Sequence, residues 1–292
     1  MMNNNTAKLP HLAKPFPVRS KLMEILTTTL LVLLALTVIV PLILPFMFVF
    51  KTRLEYNYHP WSFPTEIRWV NFAEAWKAIQ IGKGLLNTLY VCLGAIVCTV
   101  PVAAMAGYIF ARYRSKITEV FFYVILAGYF VPVQMVLIPL YQLCGAMNLT
   151  DTLPGLFLPM TAFGIPFWTI IYRSFFAGLP NELAEAARID GAGNTGIFLR
   201  IMLPLAKPAT VLATLLVFMG SWSDYLLSLI MLNSLEKFTM QLRIAQFMNN
   251  YGVDHMPRYA AAAIIAAAPT VILYLIGHRW IIQSTLAGAL KG

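Results

Sequence analysis

The sequence predicts an all-α membrane protein with six transmembrane helices. Hydrophobic residues make up 59% of the chain and charged residues only 11%, whereas a soluble domain carries roughly 25% charged residues. Six apolar runs each come close to or exceed the roughly 20 residues that a helix needs to cross a bilayer. The runs are too long and too uniformly apolar for the short, alternating strands of an outer-membrane barrel.

The six apolar runs set the predicted boundaries of the spans. They extend approximately over Leu22–Phe50, Leu86–Ala111, Ile117–Cys144, Leu153–Ile171, Ala209–Leu232 and Tyr259–Ile282. Prolines interrupt most of them, and because neighbouring helices can satisfy the freed backbone groups, we expect kinks rather than broken helices. Residues 1–20 are predicted to form a cytoplasmic N-terminal tail, and residues 21–292 a single transmembrane domain.

The distribution of Lys and Arg predicts the orientation of the chain. Arg112, Arg114 and Lys116 crowd one short connection, whereas the connection near residues 148–152 has neither Lys nor Arg. Because cytoplasmic loops are enriched in these residues, both termini are predicted to lie in the cytoplasm. The net charge of +9 then reflects topology and a match to anionic lipid. No basic face with interleaved aromatics is present, so nucleic acid is not an expected partner.

The sequence gives no sign of a metal site or a cofactor bound by the chain itself. The three cysteines, Cys92, Cys98 and Cys144, fall in or at the ends of membrane runs and form no C-x-x-C pair. They are interpreted as small buried hydrophobes. The four histidines are divided between the two predicted sides of the membrane, and no H-E-x-x-H motif occurs.

A polar segment at about residues 180–208 separates the fourth and fifth runs. Asn181 is placed to cap a helix with Glu182 in its first turn, and Gly191 is placed to end that helix. A second short helix is expected to begin near Asn194 and to end or bend near Pro204. Two short helices at a sharp angle would form a rigid knob outside the membrane.

One face of the first short helix is predicted to meet another surface. Leu183, Ala186, Ala187 and Asp190 recur at spacings of three and four residues and so share a face. The alanines leave little side chain there, which allows close approach. An amphipathic helix lying on lipid would instead carry a large, bulky apolar face. The pattern therefore favours a contact with a soluble partner.

The same segment contains a G-x-G-x-x-G motif at Gly191, Gly193 and Gly196. A dinucleotide site needs this motif between a strand and a long helix in a βαβ unit. Here a helix is predicted before it and a membrane span after it, so a nucleotide site is not expected. No G-x-x-x-x-G-K-[ST] motif occurs either, so the chain is not expected to hydrolyse ATP alone.

The polar segment resembles the cytoplasmic EAA loop of bacterial ABC importer permeases. The matching positions are Glu185-Ala186-Ala187, Asp190-Gly191-Ala192, Phe198 and Leu203-Pro204. The resemblance continues through nearly the whole chain and narrows to the carbohydrate-uptake branch, similar to the maltose and glycerol-phosphate permeases. Stretches that carry it include Asn87-Thr88, Ile138-Pro139-Leu140-Tyr141, Asp151-Thr152-Leu153-Pro154-Gly155 and Leu286-Ala287-Gly288-Ala289-Leu290-Lys291-Gly292.

The resemblance implies a type I importer permease fold in a bacterial inner membrane, with a cytoplasmic coupling helix that docks onto an ATPase. The implied partners are a second, homologous permease subunit, a dimer of ATPase subunits that bind ATP and Mg, and an extracytoplasmic solute-binding protein. The implied solute is a sugar, an oligosaccharide or a related polyol or glycerol-phosphate. The residues implied to contact the ATPase are Glu185, Ala186, Ala187, Asp190, Gly191, Ala192, Phe198, Leu203 and Pro204.

Polar and aromatic residues within the spans are candidates for a translocation path. Asp224 is an ionisable group in a predicted span, and Trp222 and Tyr225 beside it could stack on a sugar ring. The family usually has Asn where this chain has Ser223. The alternative is that Asp224 is a structural hydrogen-bond acceptor and the aromatics pack in the bundle. Asn87 and Gln134 are further polar candidates.

Two other function classes fit the sequence less well. A secondary transporter would need coupling-ion carboxylates within the spans, and Asp224 is the only one that lies away from the ends of the predicted spans. A membrane-embedded enzyme would need a nucleophile with a base, or two carboxylates, within one span, and no such set is visible. An importer permease for a non-carbohydrate solute also remains open.

Overall fold

The computed structural model describes residues 21–113 and 115–289, with the side chains of Leu22 and 279–289 excepted. The predicted tail 1–20, Arg114 and residues 290–292 lie outside this range. The described residues form helices and connecting turns without strands. The helices are α1 Lys21–Phe48, α2 Arg53–Tyr58, α3 Val70–Ala78, α4 Ile81–Arg112, α5 Lys116–Tyr129, α6 Leu137–Ala146, α7 Pro154–Ala177, α8 Glu182–Ile189, α9 Asn194–Ile197, α10 Leu203–Leu205, α11 Lys207–Trp222, α12 Leu226–Met231, α13 Met240–Tyr251 and α14 Met256–Ala289.

The described helices contain four stretches that could each cross a membrane, or up to six when each bent pair is counted as one, and the sequence predicts six. Four stretches are individually long and apolar enough to cross a membrane: Met23–Phe48, Ile81–Arg112, Pro154–Ala177 and Val253–His278. Two further units are bent pairs. Lys116–Tyr129 meets Val133–Ala146 at 88°, and Asn194–Leu205 meets Lys207–Trp222 at 75°.

The expectation that prolines kink the helices without breaking them is wrong for the third span, and the fifth span is broken although its predicted range contains no proline. The third span breaks at Pro132, which has extended backbone (φ −64°, ψ 128°), because proline lacks the N–H that would continue the helix. In the fifth span, the helix ends at Trp222 and restarts as α12 at Leu226. Elsewhere the expectation holds, since Pro101, Pro166 and Pro269 lie within continuous helices.

The centre of the bundle is the contact between α4 and α7. A Cβ atom on Gly107 would lie 2.5 Å from the Cβ of Tyr172 and 2.8 Å from the backbone nitrogen of Arg173. The two helices can therefore approach this closely only because residue 107 has no side chain. Around this point, Tyr108, Tyr172 and Phe176 are all buried in one hydrophobic core.

Asp151, in the turn between α6 and α7, lies at the end of the bundle away from Arg112 and links that turn to residues 233–237. Its carboxylate accepts hydrogen bonds from the backbone N–H groups of Asn233 and Ser234, both at 2.9 Å, and from Lys237 Nζ at 3.1 Å. Although burial opposes ionisation, the hydrogen bonds from Ser234, Asn233 and Lys237 hold the pKa of Asp151 below its ordinary value. The turn is thereby fastened to the segment that follows α12.

We expect Asp151→Asn to lower the thermal stability of the detergent-solubilised protein at neutral pH. The change removes the ion pair and weakens two backbone contacts, at a cost of about 1–3 kcal/mol. Because the pKa is lowered in the folded state, this stabilisation is complete above the unfolded pKa of about 4 and is lost as pH falls below it. The difference in unfolding temperature from the unmodified protein should therefore shrink in acid.

Asp254→Asn is the matched control, since Asp254 forms an exposed ion pair with Arg53 of a kind worth about 0–1 kcal/mol. Equal melting temperatures for the two variants would contradict the role assigned to Asp151.

Candidate functional site

The segment predicted to couple to a partner, residues 180–208, packs its first helix against the bundle through alanines. Ala184 is 5% exposed and Ala187 is 6% exposed, and both belong to the core that contains Tyr108 and Phe176. The small side chains let α8 lie close to the ends of α4 and α7. The helix is therefore seated on the bundle by its inner face.

Gly191 ends α8, as the sequence predicts. Its φ of +82° lies in the left-handed region that glycine adopts without steric cost. The Ala192 N–H donates to the Ala187 carbonyl at 2.9 Å, and the Gly191 N–H donates to the Arg188 carbonyl at 3.0 Å. These two bonds form a Schellman motif, which fixes the direction in which the chain leaves the helix.

The second half of the segment is anchored by buried side chains. It consists of α9, a π-helical turn over Phe198–Met202, and α10. Phe198 is 9% exposed, with ring centroids 5.2 Å from Tyr108 and 6.4 Å from Phe176. Phe198 therefore attaches the segment to the bundle, and the sequence-based expectation that it contacts a partner does not fit its burial.

The outward face of α8 differs from the predicted one at two positions, Ala187 and Ile189. Leu183, Ala186 and Asp190 are exposed as expected, but Ala187 points into the core, so its assignment to the contact face is wrong. Ile189, which sequence reasoning missed, is 87% exposed. Burial of Ala184 and Ala187, three residues apart, turns Ile189 away from the bundle, and a helical wheel anchored on those alanines would have found it.

The other predicted contact residues occupy varied positions. Glu185, Gly191 and Pro204 are exposed, while Ala192 and Leu203 are partly buried against the core. The outer face of the coupling segment is formed by its exposed residues Leu183, Glu185, Ala186, Ile189, Asp190, Gly191 and Pro204.

Arg112, at the end of α4, holds the entrance to α8. One guanidinium nitrogen, Nη2, donates to the Leu179 carbonyl at 3.0 Å, and Nη1 donates to Asn181 Oδ1. Asn181 precedes α8 as predicted, but its side chain accepts this bond and does not cap the helix. Sequence reasoning used Arg112 only as a topology signal and missed its contact, because the pairing spans 67 residues of chain.

A cleft of about 210 Å³ lies in the bundle where α4, α7 and α11 meet. Asp224 lies at its edge. The Asp224 Oδ2 atom accepts hydrogen bonds from the N–H and hydroxyl of Ser228, both at 3.0 Å, and Oδ1 accepts a weaker one from the Leu227 N–H at 3.4 Å. The lining residues are Ala95, Thr99, Met160, Gly164, Trp168, Val217, Gly220, Ser221 and Asp224.

The other residues predicted for a translocation path do not line this cleft. Trp222 is 4% exposed, stacks on Phe218 with centroids 5.3 Å apart, and donates its indole N–H to the Ala266 carbonyl at 2.9 Å. It packs in the bundle, so the idea that it stacks on a sugar is wrong. Tyr225 is 39% exposed and lies beyond the cleft.

The two amide candidates also lie elsewhere. Asn87 donates to the carbonyls of Glu236 and Phe238 at 2.7 and 3.1 Å, which makes it a link between α4 and the segment before α13. Its assignment to a translocation path stays a prediction, and in this structure Asn87 does not line the cleft. Gln134 is exposed at the break in the third span and is not among the residues that line the cleft.

Comparison with known proteins places the chain in a family. Residues 100–286 match the family described as "Binding-protein-dependent transport system inner membrane component". The diacetylchitobiose uptake system permease protein of Streptomyces coelicolor is 33% identical over 264 residues, which cover 90% of this chain and 87% of that protein. The melibiose/raffinose/stachyose import permease protein of Bacillus subtilis is 30% identical over 279 residues, covering 94% and 99%.

The fold also has a solved counterpart. A chain in the crystal structure of a bacterial ABC transporter involved in the import of the acidic polysaccharide alginate aligns with a TM-score of 0.79 and 22% identity, covering 91% of this chain and 99% of that chain. That likeness supports the type I permease fold. The chain belongs to the family of binding-protein-dependent transport system inner membrane components, and it is a transport subunit, not an enzyme.

Proposed function

We propose that the chain is one of two different permease subunits of an ATP-driven importer that takes up a di- or oligosaccharide delivered by an extracytoplasmic binding protein. The role in coupling to an ATPase is supported by the outer face of the coupling segment, where the exposed Ile189 lies beside the carboxylates of Glu185 and Asp190. The carbohydrate part is supported by the names of the relatives at 30–33% identity, which specify sugar uptake.

The proposal includes a cytoplasmic position for both termini. Arg112 and the coupling segment lie at one end of the bundle, and Asp151 and Asn87 lie at the other. An ATPase can reach only the cytoplasmic end. With six spans, both ends of the chain then lie on the side of the coupling segment, which agrees with the bias of Lys and Arg.

In the proposed mechanism, ATP and Mg are bound by the ATPase subunits, and this chain supplies the contact through which they act. Ile189 and Ala186 enter an apolar groove of the ATPase, while Glu185 and Asp190 pair with its basic groups. Because the Schellman turn and the Phe198 contacts make the coupling segment one body, a shift of the ATPase displaces it as a unit. Arg112 passes that displacement to α4, and so couples the two sites.

The proposed function is tested by reconstituting this chain with its partner permease, ATPase and binding protein in proteoliposomes. Uptake of radiolabelled melibiose, raffinose and diacetylchitobiose is measured with and without internal ATP. We expect uptake of at least one sugar that depends on ATP and on the binding protein and that resists collapse of ion gradients. Uptake driven by an ion gradient without ATP would instead identify a secondary transporter.

We expect Gly191→Ala to impair coupling while Gly196→Ala does not. Both positions have open space around an added Cβ, but only Gly191 has a positive φ. Alanine there is strained by about 1–2 kcal/mol, which shifts the population of the correctly shaped turn by roughly fivefold or more. The measurement is sugar uptake per ATP hydrolysed for both variants, and equal values would count against the rigid-turn mechanism.

Ile189→Glu is expected to release the ATPase without unfolding the permease. The side chain is 87% exposed, so the substitution costs the free subunit little, but it places a charge in the proposed apolar groove. Loss of a central apolar anchor costs about 2 kcal/mol or more, so retention of the ATPase on the purified permease should fall at least about tenfold.

The control is Ile67→Glu, a residue of similar exposure at 67% in the connection before α3. If both variants retain the ATPase equally, Ile189 is not part of the contact.

Arg112→Gln is expected to lower uptake more than ATPase binding. The charge-assisted hydrogen bonds to the Leu179 carbonyl and Asn181 contribute about 1.5–3 kcal/mol to holding the coupling segment on α4. Their loss should let the ATPase turn over with less transport. Lys116→Gln removes an equal charge from an exposed residue nearby, and the ratio of sugar transported to ATP hydrolysed should fall only for the Arg112 variant.

A further inference from the structure

The cleft at Asp224 gathers polar groups of largely buried residues that have no hydrogen-bond partner within the described part of the chain. Thr99 is 1% exposed, Trp168 is 5% exposed and Ser221 is 8% exposed. Their hydroxyl groups and indole N–H all belong to residues that line the cleft, and none takes part in a hydrogen bond among the described residues. They come from three different helices, so the convergence is a product of the fold.

Such a convergence is unusual in an interior that serves packing alone. Polar groups of buried residues are normally hydrogen-bonded within the protein, whereas these face the space of the cleft, where a solute or water can reach them. Here three donors surround one cleft, and Asp224 adds an acceptor whose Oδ1 atom has a single, long bond of 3.4 Å to the Leu227 N–H. Hydroxyl groups of a solute, which both donate and accept, would satisfy this set.

Small residues give the cleft its space. Ala95, Gly164 and Gly220 lie in its walls, and a Cβ atom on Gly164 would lie 3.4 Å from Thr99 Cγ2. A volume of about 210 Å³ suits one sugar ring but not a whole oligosaccharide. The apolar surface of Trp168 and Val217 adds contact area for a ring, as in other small-molecule sites.

The charge of the cleft indicates which solutes it accepts. Asp224 is the one ionisable group among the lining residues that the structure describes, and no Lys, Arg or His accompanies it there. A phosphate or carboxylate group would meet a negative charge with no compensating cation. Neutral hydroxyl groups meet no such penalty.

We propose that this cleft is a subsite that binds one neutral sugar ring of the passing solute, through Thr99, Trp168, Ser221 and Asp224. The proposal rests on the proposed function and narrows it, since it favours neutral sugars over glycerol phosphate and other anionic solutes. In this proposal, this subunit contacts the solute directly, and the partner permease can contact it as well.

The test uses the complete importer in proteoliposomes, with raffinose, melibiose and diacetylchitobiose as neutral probes and glycerol 3-phosphate as the anionic probe. Thr99→Val and Ser221→Ala each remove one hydroxyl, and Thr99→Ser keeps it. Thr169→Val is the matched control, because the Thr169 hydroxyl is buried and unpartnered among the described residues but does not line the cleft. Retention of the ATPase on each purified variant confirms that it folds and assembles.

We expect Thr99→Val and Ser221→Ala to lower uptake of the transported neutral sugar about fivefold each, the equivalent of one lost hydrogen bond, while ATPase retention is unchanged. Thr99→Ser should retain more uptake than Thr99→Val because it keeps the hydroxyl, and Thr169→Val should behave like the unmodified importer, which should exclude glycerol 3-phosphate. Equal uptake by the Thr99, Ser221 and Thr169 variants would overturn the proposal and leave the cleft as a site for water.

Preference of the unmodified importer for glycerol 3-phosphate would overturn the charge argument while leaving the importer function intact. Absence of ATP-dependent uptake of every probe by the unmodified importer would instead reject the proposed function, and the subsite with it.

Discussion

The close contact between α4 and α7 at Gly107 is the constraint on which the rest of the structure depends. A Cβ atom on residue 107 would lie only 2.5 Å from the Cβ of Tyr172, so the glycine is what allows this approach, and the rings of Tyr108 and Phe176 pack beside it. Toward one end, the same two helices hold the coupling segment. Toward their middle, they supply two of the three walls of the cleft, so both candidate sites share one support.

This shared support gives a physical route between the two sites. Arg112 and Thr99 lie on the same continuous helix, α4, and a rise of 1.5 Å per residue puts them about 20 Å apart. A helix of this length transmits displacement, but coupling also requires an element with two arrangements. The bends at Pro132 and before Lys207, of 88° and 75°, and the break between Trp222 and Leu226 are points in the described bundle where the backbone is already interrupted.

The sequence predicts features that depend on local chemistry and misses those set by tertiary packing. The apolar runs and the end of α8 at Gly191 follow from hydropathy and backbone preference, which neighbouring residues determine. The inward turn of Ala187, the burial of Trp222 and the pairing of Arg112 with Leu179 depend on where separate helices meet, and no local pattern encodes that. Ile189 lies between these cases, since its exposure follows once the buried alanines are known.

The two interpretations of Asp224, structural acceptor and path residue, are joined by the break in the fifth span. Where α11 ends and α12 begins, the first N–H groups of α12 have no helical partner, and in a bilayer each would cost several kcal/mol if left unsatisfied. Asp224 accepts from the Leu227 and Ser228 N–H groups and so stabilises the break. Because the chain turns beside the cleft at this break, the Asp224 carboxylate that accepts these backbone hydrogen bonds also lies at the edge of the cleft. A helix that continued unbroken past Trp222 would need no such acceptor, so the interruption accounts for a carboxylate at this position within the span.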